Sequence, residues 1–528
     1  MSLNLFARKD LQAMIAETEG EKGGLKRALG PFNLVTLGIG AIIGTGIFVL
    51  TGPAAALDAG PAVVLSFVVA AVGSAFAGLC YAEFAALIPI AGSAYSYSYT
   101  AIGELVAWIV GWALVMEYAF GAATVASGWS GYINSFLALV GITLPPSLLA
   151  PPGTKEIFYH GHWTIASSIM SHASLAGLPH AIAHFNLVAF IGIAIITTVL
   201  VIGIQESANI NTAIVVFKVS VLLVFVGLGI WFFSGAGVTW AHAIKNWTPF
   251  IPPRHLNSKG HMEFGWQGVM AGASLIFFSY IGFDAVSTAA QESKNPNRDL
   301  PIGILGSLVI CTILYVIVGA VLTGLVPYQL LNVPDPVALG VSRTGVGWGL
   351  LLVDLGAIGG LSSTMLVMLL GQSRVFFTMS HDGLLAGWFS KIHKKYRTPF
   401  VSSILIGVCV AFLAALFPVD TLAELVNIGT LFAFIVVCAS VWIIRVQQPN
   451  LKRPFRTPWV PTVPILGMVI AAGLIYFLSS KTKIAFLVWL GIGLIIYFTY
   501  SRHNSRVQKA LALPQGPTPV ETDAGSSL

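Results

Sequence analysis

Residues Leu37–Gly52 read LGIGAIIGTGIFVLTG, an apolar run with glycines at 38, 40, 44 and 46. Glycine weakens a helix interior by up to about 1 kcal/mol relative to alanine. Two glycine pairs in so apolar a segment, the second flanking Thr45, predict a membrane helix that unwinds at Gly44-Thr45-Gly46. A dinucleotide-binding loop is the competing reading of Gly38-x-Gly40-x-x-x-Gly44. It fails on context, because no strand precedes the run and no βαβ unit surrounds it. Close helix packing explains one Gly-x-x-x-Gly, but not four glycines around a threonine. A second interrupted run, FFSYIGFDAVSTAAQES, occupies Phe277–Ser293, with Ser279, Gly282 and Asp284 near its middle.

Composition sets both runs in a membrane protein. Of 528 residues, 9% are charged and 56% hydrophobic, against roughly 25% charged in a soluble domain. A soluble multidomain enzyme, a disordered chain and a secreted disulfide scaffold are excluded. A bilayer core of about 30 Å needs roughly 20 helical residues. Twelve runs meet that need: 33–57, 61–89, 101–139, 185–205, 210–233, 266–290, 301–326, 347–379, 400–417, 421–446, 462–478 and 484–501. With the N-terminus inside, 19 of the 27 Lys and Arg fall on the inner side. This predicts both termini in the cytoplasm, and the basic balance needs no nucleic-acid partner.

The first 30 residues lack the apolar core of a signal peptide. Cys80, Cys311, Cys409 and Cys438 lie in apolar runs without paired spacing and read as small buried hydrophobes. The loop 141–184 holds His160, His162, His172, His180 and His184. Their spacing matches no standard zinc pattern, so it reads as a solvated loop, and no metal is expected.

The two interruptions correspond if spans 1–5 (33–233, including the 141–184 loop) and spans 6–10 (266–446) are inverted repeats. Two further spans fill 462–501, and the tails are 1–32 and 502–528. A pair of broken helices at equivalent places points to a secondary transporter site. Free amides opening the outer half of span one attract a carboxylate, and unpaired carbonyls at both breaks attract an ammonium. Such a site prefers a zwitterion.

On these residues the chain resembles the amino acid–polyamine–organocation permeases, and among them bacterial members of the cationic amino acid transporter family. GIGAIIGTGIFVLTG carries the likeness, with YAEFAALIPIAGSAYSYSY (Tyr81–Tyr99) and EYAFGAATVASGWSGY (Glu117–Tyr132). It continues in SYIGFDAVSTAAQESKNPNRDLPIGI (Ser279–Ile304) and GQSRVFFTMSHDGLL (Gly371–Leu385). The resemblance implies an all-α membrane protein of the leucine-transporter-like fold, with a 5+5 inverted repeat, importing amino acids across a bacterial plasma membrane by alternating access. It places the substrate carboxylate at the amides around Gly44, Thr45 and Gly46. The amino group falls to the carbonyls of Ile42, Phe278, Ser279 and Ile281. No cofactor is expected besides a proton as coupling ion; the oligomeric state is left open, with a monomer as one reading.

Lys218 is the single lysine inside a span, about eight residues or roughly 12 Å from the inner end. Burial penalises the ammonium form, which makes this amine a candidate for proton exchange; a permanent brace is the alternative. By resemblance, a fifth-span Lys of proton-coupled permeases occupies the place of a sodium ion. Glu117 in span three reads as a pocket wall, a relay or a structural partner. Asp284 follows the break in span six, where it either caps the next half-helix or joins the pocket. Glu83 and Asp354 read as gate or packing partners, and ESKNPNRDLP (Glu292–Pro301) as a cytoplasmic gate or a solvated turn. An exchanger of amino acids or polyamines on the same fold, or a non-transporting amino acid receptor, are the alternative functions. No nucleophile–base constellation suggests an enzyme.

Overall fold

The computed structural model describes residues 4–9, 29–88, 93–159, 162–165, 178–203, 208–235, 239–256, 262–288, 293–396 and 398–512. These are mostly helical. Among the described residues, seven helices are long and apolar enough to cross a membrane, and four shorter apolar helices accompany them.

α1 runs Pro31–Ile42, with proline in its first turn, where a missing N–H costs little. It stops at Ile43, whose ψ of 102° is extended. Helix resumes through wide π-type turns at Gly46–Leu50 and Ala54–Ala59, separated by Thr51–Pro53. Thr51 Oγ1 lies 3.1 and 3.0 Å from the Gly46 and Ile47 carbonyls, serving acceptors inside the widened turns. Gly60, at φ +62°, then turns the chain into α2 (Val63–Leu87).

α3 (Ser93–Ala101) is a short helix that the sequence reading did not expect. α4 (Glu104–Leu139) has 36 residues, about 54 Å at 1.5 Å each. It is followed by α5 (Leu187–Ile202), α6 (Ala208–Phe233) and α7 (Gly265–Ile276). Then come α8 (Pro296–Leu325), α9 (Pro336–Ser342) and α10 (Gly347–His381). α11 (Phe400–Leu416), α12 (Val419–Gln447), α13 (Thr462–Phe477) and α14 (Ser480–Ile496) complete the series. α2 packs on α8, α4 on α10 and α5 on α11. In each pair the second helix is the span expected five places later in the chain. α4 is also tied to α14, where Trp112 and Trp489 each donate an indole N–H to the other's carbonyl, at 2.8 and 2.9 Å.

The second break is built differently from the first. α7 tightens into a 3₁₀ turn at Phe277–Tyr280, Ile281 turns extended at ψ 134°, and Gly282 takes φ +118°. A Cβ on Gly282 would lie 2.8 Å from the backbone carbonyl of Ala41. Only glycine meets both demands, and through it the second broken helix rests directly on α1.

The 141–184 segment is not simply a solvated loop. β1 (Lys155–Tyr159) pairs antiparallel with both β2 (His162–Ile165) and β3 (His180–Ile182), giving the order β2-β1-β3. His180 and His184 are exposed, and His160 and His172 lie outside the described residues. No group of three metal-ligating side chains occurs among the described residues.

Both chain ends meet on one face. Gln508 Nε2 donates to the Asn4 carbonyl at 2.6 Å, and Leu105 N donates to that of Leu5 at 3.1 Å. There Lys9 pairs with Asp382 at 2.6 Å, and Tyr95 donates to the other Asp382 oxygen, also at 2.6 Å. Glu83 lies on the same face as an ion-pair brace rather than at the mouth of the breaks. It accepts a two-pronged pair of hydrogen bonds from Arg445 at 2.9 and 2.8 Å, and one from Thr457 N at 2.8 Å. Arg453 Nε stands 3.2 Å away. Glu83→Gln would leave two guanidiniums without a countercharge, one of them buried. Removing one partner of a buried pair costs about 3–5 kcal/mol, so a clearly lower Tm is the expected outcome of thermal unfolding in detergent. An unchanged Tm would show that the brace carries no weight.

Candidate functional site

The two breaks face each other. A Cβ added to Gly46 would lie 2.2–2.4 Å from Ser279 Oγ, Cα and Cβ. Gly46 is therefore where the broken helices touch, a packing role beyond the unwinding read from the sequence. The first i→i−4 bond after the break joins Phe48 N to the Gly44 carbonyl at 3.2 Å. Thr45 and Gly46 thus open the second half-helix, where amides lack intrahelical acceptors.

Tyr315 of α8 joins the carbonyl sides. Its hydroxyl stands 2.9 Å from the Ile42 carbonyl oxygen and 3.0 Å from that of Ser279. One phenolic proton serves one acceptor at a time, and each carbonyl keeps a second lone pair for another donor. The sequence reading named both carbonyls and missed Tyr315, because its link to the breaks is purely tertiary. The hydroxyls of Thr45 and Ser279 are fully buried and have no protein partner. Buried polar atoms are nearly always hydrogen-bonded, so one unpaired hydroxyl on each broken helix marks a place for a polar ligand.

Lys218 of α6 enters behind the first break. It is fully buried, and Nζ donates to the Gly40 carbonyl at 3.0 Å, the Ile43 carbonyl at 3.2 Å and Thr364 Oγ1 at 3.3 Å. Gly40 lies in the last turn of α1 and Ile43 just past its end, and the third partner comes from α10. One ammonium thus spans three helices. A Cβ on Gly44 would sit 3.0 Å from Thr364 Oγ1 and Cγ2, so the broken segment and the lysine share a neighbour. The lysine stem lies over Gly360, 3.2 Å from where a Cβ would stand.

Glu117 and Asp284 form a second polar cluster. Both are buried and electrostatically in reach of each other. Asp284 Oδ2 accepts from Tyr118 at 3.3 Å, while Glu117 Oε1 is buried without a partner. The Asp284 carbonyl accepts from Ser287 N and Oγ at 2.9 and 2.5 Å, closing the turn after the break. Tyr81, Phe283 and Phe434 stack edge-on or tilted beside the cluster, at centroid distances of 5.2–5.6 Å. Of the gate stretch Glu292–Pro301, Glu292 lies outside the described residues. Ser293 pairs with Leu29 as a parallel bridge, and Lys294 N donates to the Leu29 carbonyl at 2.8 Å.

Residues 29–499 match the amino acid permease family. The chain is 45% identical over 512 residues to the branched-chain amino acid permease BcaP of Bacillus subtilis (strain 168), covering 96% of this chain and 100% of that one. It is 40% identical over 506 residues to the methylthioribose transporter of the same strain, again 96% and 100% covered. With the vacuolar cationic amino acid transporter 4 of Arabidopsis thaliana it shares 36% identity over 426 residues, 81% of this chain and 64% of that one. Apolar spanning helices, a pair of facing helix breaks and a family match over most of its length lead to one conclusion: this chain belongs to the amino acid permease family and is a multi-pass membrane transporter, not an enzyme.

Proposed function

We propose that this permease imports a free α-amino acid together with a proton, by alternating access on a twelve-span, leucine-transporter-like inverted repeat. The observation that carries the proposal is Lys218 Nζ lodged against the Gly40 and Ile43 carbonyls and Thr364. A charge held at the end of a broken helix adds its binding energy to whichever conformation closes those acceptors around it. Releasing the proton removes that energy, which is what coupling requires. The packing of α2, α4 and α5 on helices five spans later supports the inverted repeat.

In this reading the substrate carboxylate takes the amides of Gly44, Thr45 and Gly46, and the two unpaired hydroxyls assist. The ammonium takes the carbonyls of Ile42, Phe278, Ser279 and Ile281. Glu117 and Asp284 stand aside as a second protonatable pair that serves as wall or relay. The face carrying both chain ends is cytoplasmic, by the clustering of Lys and Arg on that side. An uncharged substrate side chain is favoured by the apolar residues that flank the breaks in the chain, Ile43, Val49 and Phe283, and by the name of the full-length branched-chain relative.

The test is uptake into proteoliposomes without internal amino acid. An inward proton gradient should drive accumulation of leucine, isoleucine, valine or alanine, and a protonophore should abolish it. Uptake that ignores the gradient and needs internal amino acid would assign an exchanger instead. Binding is checked separately by thermal shift, where a true substrate at a hundredfold excess over its Kd stabilises by about 2.7 kcal/mol. Methylthioribose, lysine and arginine belong in the same panel.

A further inference from the structure

On the face opposite the chain ends, the segment 331–342 closes over the outer half of the first broken helix. A Cβ on Gly52 would lie 2.2 Å from the Leu331 carbonyl oxygen and 2.8 Å from Pro336 Cβ, and one on Gly131 would lie 2.6 Å from Pro334 Cβ. The segment is thus wedged between the broken helix and α4, as a lid. Two carboxyls lie beneath it about one turn of α4 apart, since Pro334, next to Asp335, packs on Gly131 while Asp354 bonds Ser135. Asp335 stands on the lid, half-buried, at the entry to α9. Asp354 of α10 is fully buried behind it.

Asp354 Oδ2 accepts a hydrogen bond from Ser135 at 2.9 Å, while Oδ1 is buried with no partner. Neither carboxyl has an ion-pair partner among the described residues. The polar and titratable groups that face Asp354 are Ser135 and Tyr132 of α4 and Asp335 of the lid. Tyr132 is in electrostatic reach of both carboxyls. Its hydroxyl donates to the Phe48 carbonyl of the outer half-helix at 2.5 Å and lies beside the Val337 backbone of the lid. One phenol therefore joins the carboxyl pair, the lid and the broken helix.

A buried carboxyl oxygen without a donor is costly, and two carboxylates sharing a site without a cation repel. We propose that Asp335 and Asp354 form a proton-binding site that seals this lid. With a proton on the pair, segment 331–342 stays packed across Gly52 and Gly131; with both carboxyls ionised, it lifts. The site faces the outer solution only if the chain ends are cytoplasmic, as proposed above, but its proton dependence stands without that orientation.

The sign follows from Asp335. Burial pushes its carboxyl from the usual 3.8 up to about 6 in the closed lid. A group with the higher pKa in the closed state favours closure at low pH, and that contribution is lost as pH rises through about 6.

Spin labels on Ser342→Cys and Ile142→Cys, both exposed, read the lid against the end of α4 in a chain with Cys409→Ser. Distances are measured on purified protein in nanodiscs frozen at pH 4.5 and pH 7.5, without substrate. The short-distance population should dominate at pH 4.5. The open-to-closed ratio should rise by at least about tenfold by pH 7.5, since each pKa unit between the two states contributes a factor of ten. Asp354→Asn and Asp335→Asn, neutral mimics of the protonated acids, should hold the short distance at both pH values. Asp335 is on the half-buried lid, so its variant carries the test if Asp354→Asn does not fold.

A ratio that ignores pH in the unsubstituted background overturns the proposal, as does an unchanged pH response in Asp335→Asn. So does a response that survives Asp335→Asn but disappears in Lys218→Ala. The measurement involves no uptake, so failure of proton-coupled transport and failure of the lid site are separate results.

Discussion

Lys218→Ala is expected to bind substrate yet fail to accumulate it when an inward proton gradient is imposed on proteoliposomes. An ammonium only donates, so the lysine does not compete with a carboxylate for the amides of Gly44, Thr45 and Gly46, where the substrate is proposed to bind. It holds the Gly40 and Ile43 carbonyls and Thr364 Oγ1 from behind. Removing it leaves three acceptors without this donor and opens a void beside Gly360. Binding weakens if α1 relaxes, but the larger loss is in coupling, because no group at that place then changes charge during the cycle. One pKa unit of difference between conformations amounts to about 1.4 kcal/mol, a tenfold bias in a two-state equilibrium.

Lys218→Arg should stall the cycle rather than uncouple it. Guanidinium does not release its proton in this pH range, and the stem already presses on Gly360 at 3.2 Å from its Cβ position. A mere brace makes a different forecast: arginine would rescue at least part of the activity and the pH profile would keep its shape. The decisive readout is the pH dependence of uptake in Lys218→Ala. A profile identical to wild type, with accumulation intact, removes Lys218 from the coupling step and turns attention to Glu117 and Asp284.

The second large effect is expected at the contact between the breaks. Gly46→Ala places a Cβ 2.2–2.4 Å from Ser279, its Cα included, and a backbone atom cannot swing aside as a side-chain tip does. Overpacking costs about 1–3 kcal/mol, which pushes the broken helices apart and moves the Thr45 and Ser279 hydroxyls off register. Substrate affinity should fall about tenfold to a hundredfold, at 1.4 kcal/mol per decade. Gly44→Val should abolish measurable binding, since its branch drives into Thr364 and through it disturbs Lys218. Gly359→Ala serves as the control, because nothing lies within 4 Å of that position. Thermal-shift titration on folded protein checks all three, and wild-type affinity in Gly46→Ala would refute the assignment of the site to this contact.

Much of this arrangement is legible in one dimension because membrane physics acts along the chain. Apolar runs of spanning length, the glycines of LGIGAIIGTGIFVLTG and the polar interruption at Ser279–Asp284 are local features. Lipid tolerates unsatisfied backbone only where protein encloses it. The breaks, their pairing and the oddity of Lys218 inside a span follow from that rule. Where the rule is silent the reading was coarser. A short helix at Ser93–Ala101 and a small sheet in 141–184 depend on packing against neighbours, not on span-length hydropathy.

What the sequence by itself determined is a membrane chain with two broken helices and one buried amine. Only the tertiary structure decided what those features touch. It set Thr364 and two carbonyls around Lys218, and put Tyr315 between the Ile42 and Ser279 carbonyls. It made Gly46 a contact rather than only a weak point. It also separated the carboxylates, which look alike in sequence, by giving each a different neighbour. Glu83 has two arginines, Glu117 and Asp284 have each other, and Asp354 has Ser135 and a lid. These are contacts between residues tens to hundreds of positions apart, and a side chain's partner at that separation is set by how helices pack, which hydropathy and spacing do not encode.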